Sequence, residues 1–102
     1  MSRQQVAHQV ADYFRTRPIE RAWLFGSFAR DEETPQSDVD LLVEFDHSQP
    51  IGLFAYARMR RELAERLGRK VDLVEAGTLL PFATASAEHD KRLIYERENK
   101  GR

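Results

Sequence analysis

A glycine–serine pair followed by an alternation of acidic and apolar residues most constrains the fold of this chain. The apolar run Ala22–Phe25 stops at Gly26-Ser27, and after ten intervening residues Asp38-Val39-Asp40 opens a second apolar run. Successive side chains of a strand point to opposite faces, so Asp38 and Asp40 are predicted to project side by side. The alternating residues are predicted to point into a helix-covered core: Val39, Leu41 and Val43.

Hydrophobic spacing predicts two helices. The first covers about Arg3–Arg17, with Ser2 as its N-cap and Pro18 ending it, since the residue before a proline disfavours helical angles. The second covers Leu53–Leu67, and Gly68 is placed to cap its C-terminus. The residues predicted on the packed side of this helix are Leu53, Tyr56, Arg60, Leu63 and Leu67.

Short apolar runs predict strands at Ala22–Phe25, Val39–Phe45 and Val71–Val74. One or two helical turns are expected within Phe28–Glu33. The C-terminal part has two interpretations, a helix beginning at Pro81 or a final strand at Leu93-Ile94-Tyr95. The order α-β-β-α-β-α predicts a small α+β or α/β fold, with helices packed on a sheet.

The aromatic and histidine side chains outside the motifs are predicted to have structural rather than catalytic roles. The aromatic residues predicted in the core or in packing contacts are Trp23, Phe25, Phe82 and Tyr95. The histidines are dispersed and are predicted to be surface residues: His8, His47 and His89.

Composition excludes several functions. The 102 residues suit one domain, residues 1–102, and the net charge of −1 gives no electrostatic case for binding nucleic acid or membrane nonspecifically. The absence of cysteine excludes disulfides and cysteine-ligated zinc. With no signal-peptide pattern and no apolar run long enough to span a bilayer, a cytoplasmic location is expected.

The acidic residues predict a site for divalent cations. If the third strand lies beside the second, Asp72 joins Asp38 and Asp40 on one face. Three crowded carboxylates repel one another, and a bound Mg²⁺, which takes oxygen ligands, relieves that cost. Gly26 allows close approach of a ligand to the backbone, and the Ser27 hydroxyl can hold a phosphate.

Plainer interpretations exist for each motif taken alone. A lone glycine–serine pair is usually a turn, and a lone Asp-x-Asp is usually a solvated strand face. Arg30 can reach a phosphate, but it also suits the role of a surface residue or the partner of an acid. The combination, in this order and with strands around each motif, favours a functional site.

Three segments carry a family resemblance: Leu24–Arg30, Ser37–Val43 and Gly68–Val74. They resemble the minimal nucleotidyltransferases of the DNA polymerase beta superfamily, and more narrowly the antitoxins of HEPN–minimal nucleotidyltransferase toxin–antitoxin pairs. The similarity extends from about Val6 to Leu80. It implies a small mixed sheet with helices on one side, the polymerase-beta-type nucleotidyltransferase fold.

The resemblance also implies chemistry. It implies Mg²⁺-dependent transfer of AMP from ATP to a tyrosine hydroxyl of a partner toxin, an RNase of the HEPN fold encoded nearby. By motif position, Asp38, Asp40 and Asp72 are implied as metal ligands and catalytic carboxylates. Gly26 and Ser27 are implied as triphosphate binders, with Arg30 a further candidate. No membrane and no direct nucleic-acid partner is expected.

Two positions depart from the family pattern. Members often have a basic residue at the position of Phe28 and a glycine at that of Asp31, so weaker ATP binding is one expectation. Two other functions stay open at this point: an antitoxin that acts by contact alone, and a nucleotidyltransferase with a small-molecule acceptor.

Overall fold

The structure, a computed structural model, describes residues 2–30, 32–34, 36–46, 48, 51–76 and 91–98. The described elements are α1 (Arg3–Phe14), β1 (Ile19–Phe25), β2 (Val39–Phe45), α2 (Leu53–Leu67), β3 (Val71–Glu75) and β4 (Arg92–Glu96). The strands form one mixed sheet in the order β3-β2-β1-β4. Strand β1 is antiparallel to β2 and β4, whereas β2 and β3 are parallel. The predicted α+β fold with a mixed sheet is confirmed.

Both helices pack on one face of the sheet, where the alternating residues of the strands form the core. The predicted inward-facing residues Val39, Leu41 and Val43 are fully buried, as are Val71 and Leu73 to within 3%. The helices add these buried side chains to the same cluster: Val6, Val10, Tyr13, Phe14, Met59, Leu63 and Leu67. Burial of this apolar surface is the main stabilising contribution to the fold.

Helix α1 begins as predicted and ends earlier. Ser2 and Gln5 form a reciprocal capping box: the Ser2 hydroxyl accepts from the Gln5 amide at 3.2 Å, and the Gln5 side chain accepts from the Ser2 amide at 2.7 Å. The predicted end at Arg17 is wrong, because residues 15–18 form a turn in which the Arg17 amide donates to the Phe14 carbonyl. The chain leaves the helix three residues before it meets Pro18.

Strand β1 begins at Ile19, three residues before the predicted start at Ala22. The sequence concealed this extension because Glu20 and Arg21 interrupt the apolar run. In the sheet, the Arg21 guanidinium lies between Glu44 of β2 and Glu96 of β4 and hydrogen-bonds to both. Cross-strand pairing with opposite charges therefore lets charged residues continue the strand.

The prediction that Trp23 and Phe25 belong to the core is wrong. Ala22 and Leu24 are fully buried on the helix-covered face, so strand alternation places Trp23 and Phe25 on the opposite face. Both are partly exposed, and the Lys91 ammonium lies 4.6 Å from the Trp23 ring centroid.

Helix α2 has the predicted bounds, and Gly68 caps it in the left-handed conformation (φ 66°). Its packed side differs from the prediction at Leu53, which is 78% exposed, and at Arg60, whose side chain is 47% exposed, whereas Met59 is 4% exposed. At 3.6 residues per turn, Leu53 lies about 120° around the helix axis from Met59, outside the buried stripe.

The remaining predictions fall partly outside the described residues. The final strand is confirmed as β4, where Tyr95 packs against Phe14 with ring centroids 6.2 Å apart. His8 is exposed, as predicted. These positions lie outside the described residues: a helix start at Pro81, Phe82, His47, His89 and Asp31. No helix in the described parts of the chain has both the length and the apolar character to cross a membrane.

Candidate active site

Asp40 and Asp72 lie directly opposite each other on the parallel strands β2 and β3. Their neighbours Leu41 and Leu73 are buried in the core, which turns both carboxyl groups to the other face of the sheet. The prediction that Asp72 joins the Asp-x-Asp pair is therefore confirmed in space.

The electrostatics of Asp40 show how closely the three acids are placed. Burial, followed by the charges of Asp72 and then Asp38, together raise the pKa of the Asp40 carboxyl group to about 6. The positive charge of the Arg30 guanidinium acts in the opposite direction and lowers this pKa. Asp40 thus carries a negative charge that its protein neighbours do not fully compensate.

Asp38 immediately precedes β2, which has the predicted bounds Val39–Phe45. The next residue, Val39, donates its amide to the Lys70 carbonyl at 2.9 Å, and this bond fixes the start of the strand beside β3. The Lys70 ammonium lies 4.0 Å from Asp38 Oδ2. Asp38 therefore sits at the end of the Asp40–Asp72 pair, partly exposed and next to a cation.

Gly26 lies against the Asp40 carboxyl group, at the end of β1. Its φ of +73° is in the left-handed region, and an added Cβ would collide with Asp40 Oδ2 and lie 3.3 Å from Asp40 Cγ. Glycine is required here by both the backbone angle and the space. This packing brings the glycine–serine turn to the acidic pair.

The expected helical turns after Gly26 form two hydrogen-bonded turns rather than a helix. The Arg30 amide donates to the Gly26 carbonyl at 3.2 Å, and the Glu32 amide donates to the Ser27 carbonyl at 2.8 Å. Phe28 and Ala29, 0% and 1% exposed, anchor the turn in the core. The Ala29 carbonyl accepts from two guanidinium groups, those of Arg3 at 3.2 Å and Arg92 at 2.9 Å.

Ser27 and Arg30 flank the acidic pair. Ser27 is partly exposed, and within the described chain its hydroxyl has no hydrogen-bond partner. Arg30 is exposed, lies 3.4 Å from Glu32, and is close enough to Asp40 to lower its pKa. Arg30 therefore contacts acids in this structure, and its assignment as a phosphate binder stays a prediction.

Sequence reasoning missed the part that Arg69 plays beside Phe28. The Phe28 ring is fully buried, and the Arg69 guanidinium lies 5.0 Å from the ring centroid. Arg69 also donates to the carbonyls of Thr34 and Ser37, at 3.0 and 3.1 Å, in the segment that leads to Asp38. A cation therefore lies beside the Phe28 ring, in the turn that follows Gly26.

The donor set suits a hard divalent cation. Asp40 and Asp72 supply adjacent carboxyl groups whose mutual repulsion a cation would relieve. In the described parts of the chain, no three acidic or histidine side chains are already gathered around one point that could hold a metal. Mg²⁺ commonly takes only one or two protein carboxylates and completes its coordination with substrate phosphates and water, so a pair with a third acid nearby fits.

These features of fold and site are those of a nucleotidyltransferase. The sequence pattern of the nucleotidyltransferase domain family matches residues 7–100, and the chain belongs to this family. Two proteins of Methanocaldococcus jannaschii, both named "Putative protein adenylyltransferase", are 41% and 44% identical to it over 73 residues. The matches cover 71% of this chain, and 71% and 70% of the two relatives.

Solved structures give the same result for the fold. A structure of a "putative minimal nucleotidyltransferase" is 31% identical with a TM-score of 0.64, covering 88% of this chain and 86% of its own. A chain of a toxin–antitoxin structure with AMP-PNP has a TM-score of 0.74 at 17% identity, covering 90% and 74%. A chain from a complex of a tri-AMPylated Shewanella oneidensis HEPN toxin with its MNT antitoxin has a TM-score of 0.68 at 16% sequence identity. This match covers 93% of the present chain and 73% of the other. The last two likenesses are of fold alone.

Proposed function

We propose that this nucleotidyltransferase transfers AMP from ATP, in a Mg²⁺-dependent reaction, to a tyrosine hydroxyl of a partner toxin, an RNase of the HEPN fold. The transfer would neutralise the toxin. The names of the M. jannaschii relatives support a protein acceptor. The AMP-PNP and AMPylated toxin in the structures of similar fold support the donor and the kind of partner.

The observation that carries this proposal is the placement of the Gly26 turn against the Asp40–Asp72 pair. Transfer of AMP from a triphosphate needs a place where the backbone approaches the phosphates closely. It also needs oxygen ligands nearby for the cations that neutralise those phosphates. Gly26, in the left-handed conformation, provides the close backbone approach, and the carboxyl groups of Asp40 and Asp72 provide the oxygen ligands. Gly26 and the Asp40 carboxyl group are in direct contact.

In this proposal each residue of the site has a separate role in AMP transfer. Gly26 and the Ser27 hydroxyl receive the triphosphate, and Arg30 lies within reach as a further cation. Asp38, Asp40 and Asp72 would hold Mg²⁺, which when bound would neutralise developing charge on the phosphates and lower the pKa of the attacking hydroxyl. The tyrosine oxygen bonds to the α-phosphorus, the bond from that phosphorus to the bridging oxygen breaks, and pyrophosphate leaves. Asp72 would take the phenol proton.

The acceptor is proposed to be a protein because the described sheet and helices leave the acids on an open, partly exposed face. Asp38 and Asp72 have about two-fifths of their side-chain surface exposed. A folded partner that presents a tyrosine can cover such a face and exclude water from it.

The test is an intact-mass spectrum of the protein encoded beside this chain, after incubation with the chain, ATP and Mg²⁺. The expected result is a mass increase of one or more adenylyl groups on a tyrosine, lost with Asp38→Asn and retained with Asp12→Asn. Asp12 is an acid on α1 paired with Arg15 and Arg66, remote from the site in the sheet.

Two other outcomes would reject the proposal. A stable complex without a mass change, in which Asp38→Asn still neutralises the toxin, would establish an antitoxin that acts by contact. Transfer of AMP to small hydroxyl compounds but not to the neighbouring protein would establish a small-molecule acceptor.

A further inference from the structure

Arg60 links helix α2 to the acidic face of the sheet by passing around the outer edge of β3. Helix α2 packs on the covered face, whereas Asp72 points to the opposite one. The Arg60 Nε donates to the Val71 carbonyl at 2.9 Å, and its Nη2 lies 3.6 Å from Asp72 Oδ1. One guanidinium therefore holds both the backbone before Asp72 and its carboxyl group.

A second side chain of α2 holds the same strand without touching the acids. Tyr56, one helical turn before Arg60, donates its hydroxyl to the carbonyl of Leu73. Since alternate residues of an edge strand direct their carbonyls outward, Tyr56 and Arg60 occupy two consecutive outward carbonyls of β3. Attachment of α2 to β3 and contact with Asp72 are thus separable functions.

Asp72 lies between a cation and another acid. The Arg60 guanidinium attracts its carboxyl group from the strand edge, and the Asp40 carboxyl group, its register partner on β2, repels it from the other side. A carboxylate attracted from one side and repelled from the other has fewer rotamers than a free aspartate, which restricts the direction of its oxygens.

We propose that Arg60 is a positioning residue for Asp72, orienting this carboxylate toward the metal and the acceptor hydroxyl while withholding part of its charge from the metal. The inference rests on the proposed function in so far as Asp72 acts in AMP transfer. The contact itself is independent of that function, and it has a measurable consequence without nucleotide.

The consequence is that removal of the Arg60 guanidinium raises the affinity for metal while it lowers the rate of AMP transfer. Without the Arg60 charge, the acidic cluster attracts cations more strongly, so Mn²⁺, used as the probe, binds Arg60→Gln about two- to fivefold more tightly, given the strength of partly exposed ion pairs. Without the orientation, AMP transfer slows about tenfold, as is typical when a partner of a metal ligand is removed. An unfolded or loosened protein would lose both.

Three variants separate the causes. Arg61→Gln removes a neighbouring cation from the same groove of about 500 Å³ between α2 and β3, but not a contact with an acid in the described structure. Tyr56→Phe removes only the second attachment of α2 to β3. Arg60→Lys restores the charge without the two-armed geometry of guanidinium, so metal affinity returns to the wild-type value while turnover recovers only in part, within about threefold.

The experiment measures Mn²⁺ affinity by calorimetry and kcat and KM for ATP by transfer of radiolabelled AMP to the neighbouring protein, for the full chain and each variant. Tighter Mn²⁺ binding with lower kcat in Arg60→Gln alone supports the proposal. Equal losses of kcat in Tyr56→Phe or Arg61→Gln, or weaker or unchanged Mn²⁺ binding in Arg60→Gln, overturn it. If wild-type chain transfers no AMP, the proposed function fails, and the Mn²⁺ affinities still decide whether Arg60 acts on Asp72.

Discussion

Asp40 and Asp72 are register partners on neighbouring parallel strands, with their carboxyl groups on the face of the sheet away from the helices. Parallel pairing is what brings them together, since β2 and β3 are separated in the chain by the whole of α2. The crossover through this helix leaves both strands pointing the same way and aligns Asp40 with Asp72.

Replacement of Asp40 by Asn is expected to raise stability at neutral pH while abolishing AMP transfer. The folded-state pKa of about 6 lies above the ordinary value of 3.8, so the charged carboxylate destabilises the folded chain. This penalty is nearly complete above about pH 6 and decreases as the pH falls toward the unfolded-state value near 4, below which it disappears. Discounted for partial exposure, Asp40→Asn gains about 1 kcal/mol at pH 7.5.

The measurement is urea unfolding of both proteins without divalent cations, at pH 7.5 and pH 4. The stability difference should fall to a small fraction of its value at the lower pH, where the folded Asp40 is protonated and the unfolded carboxyl group is about half protonated. A variant less stable than wild type at pH 7.5 would show that the clustered acids cost the fold nothing.

Replacement of Gly26 by Ala is expected to stop AMP transfer through displacement of the Asp40 carboxyl group. The added methyl group must move that carboxyl group, and displacement of a reacting geometry by about 1 Å costs about 100-fold in rate. The positive φ adds about 1–2 kcal/mol of backbone strain.

Gly68→Ala is the matched control for this prediction. Gly68 has nearly the same φ of +66°, but a Cβ there meets nothing within 4 Å. It should lose a similar amount of stability and keep its AMP-transfer rate. Parallel loss of activity in both variants would mean that the rate depends on general stability, not on the space beside Asp40.

Much of the candidate site was predictable from sequence because its signals are local. Asp-x-Asp on a strand, a glycine where a strand ends and a C-capping Gly68 each follow from the properties of neighbouring residues. The pairing of Asp40 with Asp72 was predictable only on the condition that β3 lies beside β2, since register depends on contacts between distant segments.

The wrong predictions share a physical cause, which is that sequence does not tell which face of an element is covered. Trp23 and Phe25 are as apolar as any core residue, yet alternation from the buried Leu24 places them on the other face. Arg69 and Arg60 act through side chains that reach another element, and no periodicity marks such contacts. Glu20 and Arg21 similarly concealed the start of β1, because their partners are on other strands.

Phe28 should be replaceable by an apolar residue but not by a basic one. Its ring is fully buried, so Phe28→Lys buries an ammonium group beside the Arg69 guanidinium and is expected to cost at least as much as Phe28→Ala, about 3–5 kcal/mol. Phe28→Leu should lose far less. Urea unfolding measures all three, and a Phe28→Lys variant of wild-type stability with tighter ATP binding would show that the side chain faces the phosphates.

Met59 and Leu53 provide a direct test of which side of α2 is buried. Met59 is 4% exposed within the core cluster, and Met59→Ala should lower the free energy of unfolding by about 2–5 kcal/mol. Leu53 is 78% exposed, so Leu53→Ala should change it by about 0.5 kcal/mol or less. Both substitutions place alanine, a good helix former, in the same helix, so propensity contributes little to the difference. Equal losses of unfolding free energy in the two variants would mean that the buried side of α2 includes Leu53. Arg60 would then reach the edge of β3 from a different direction.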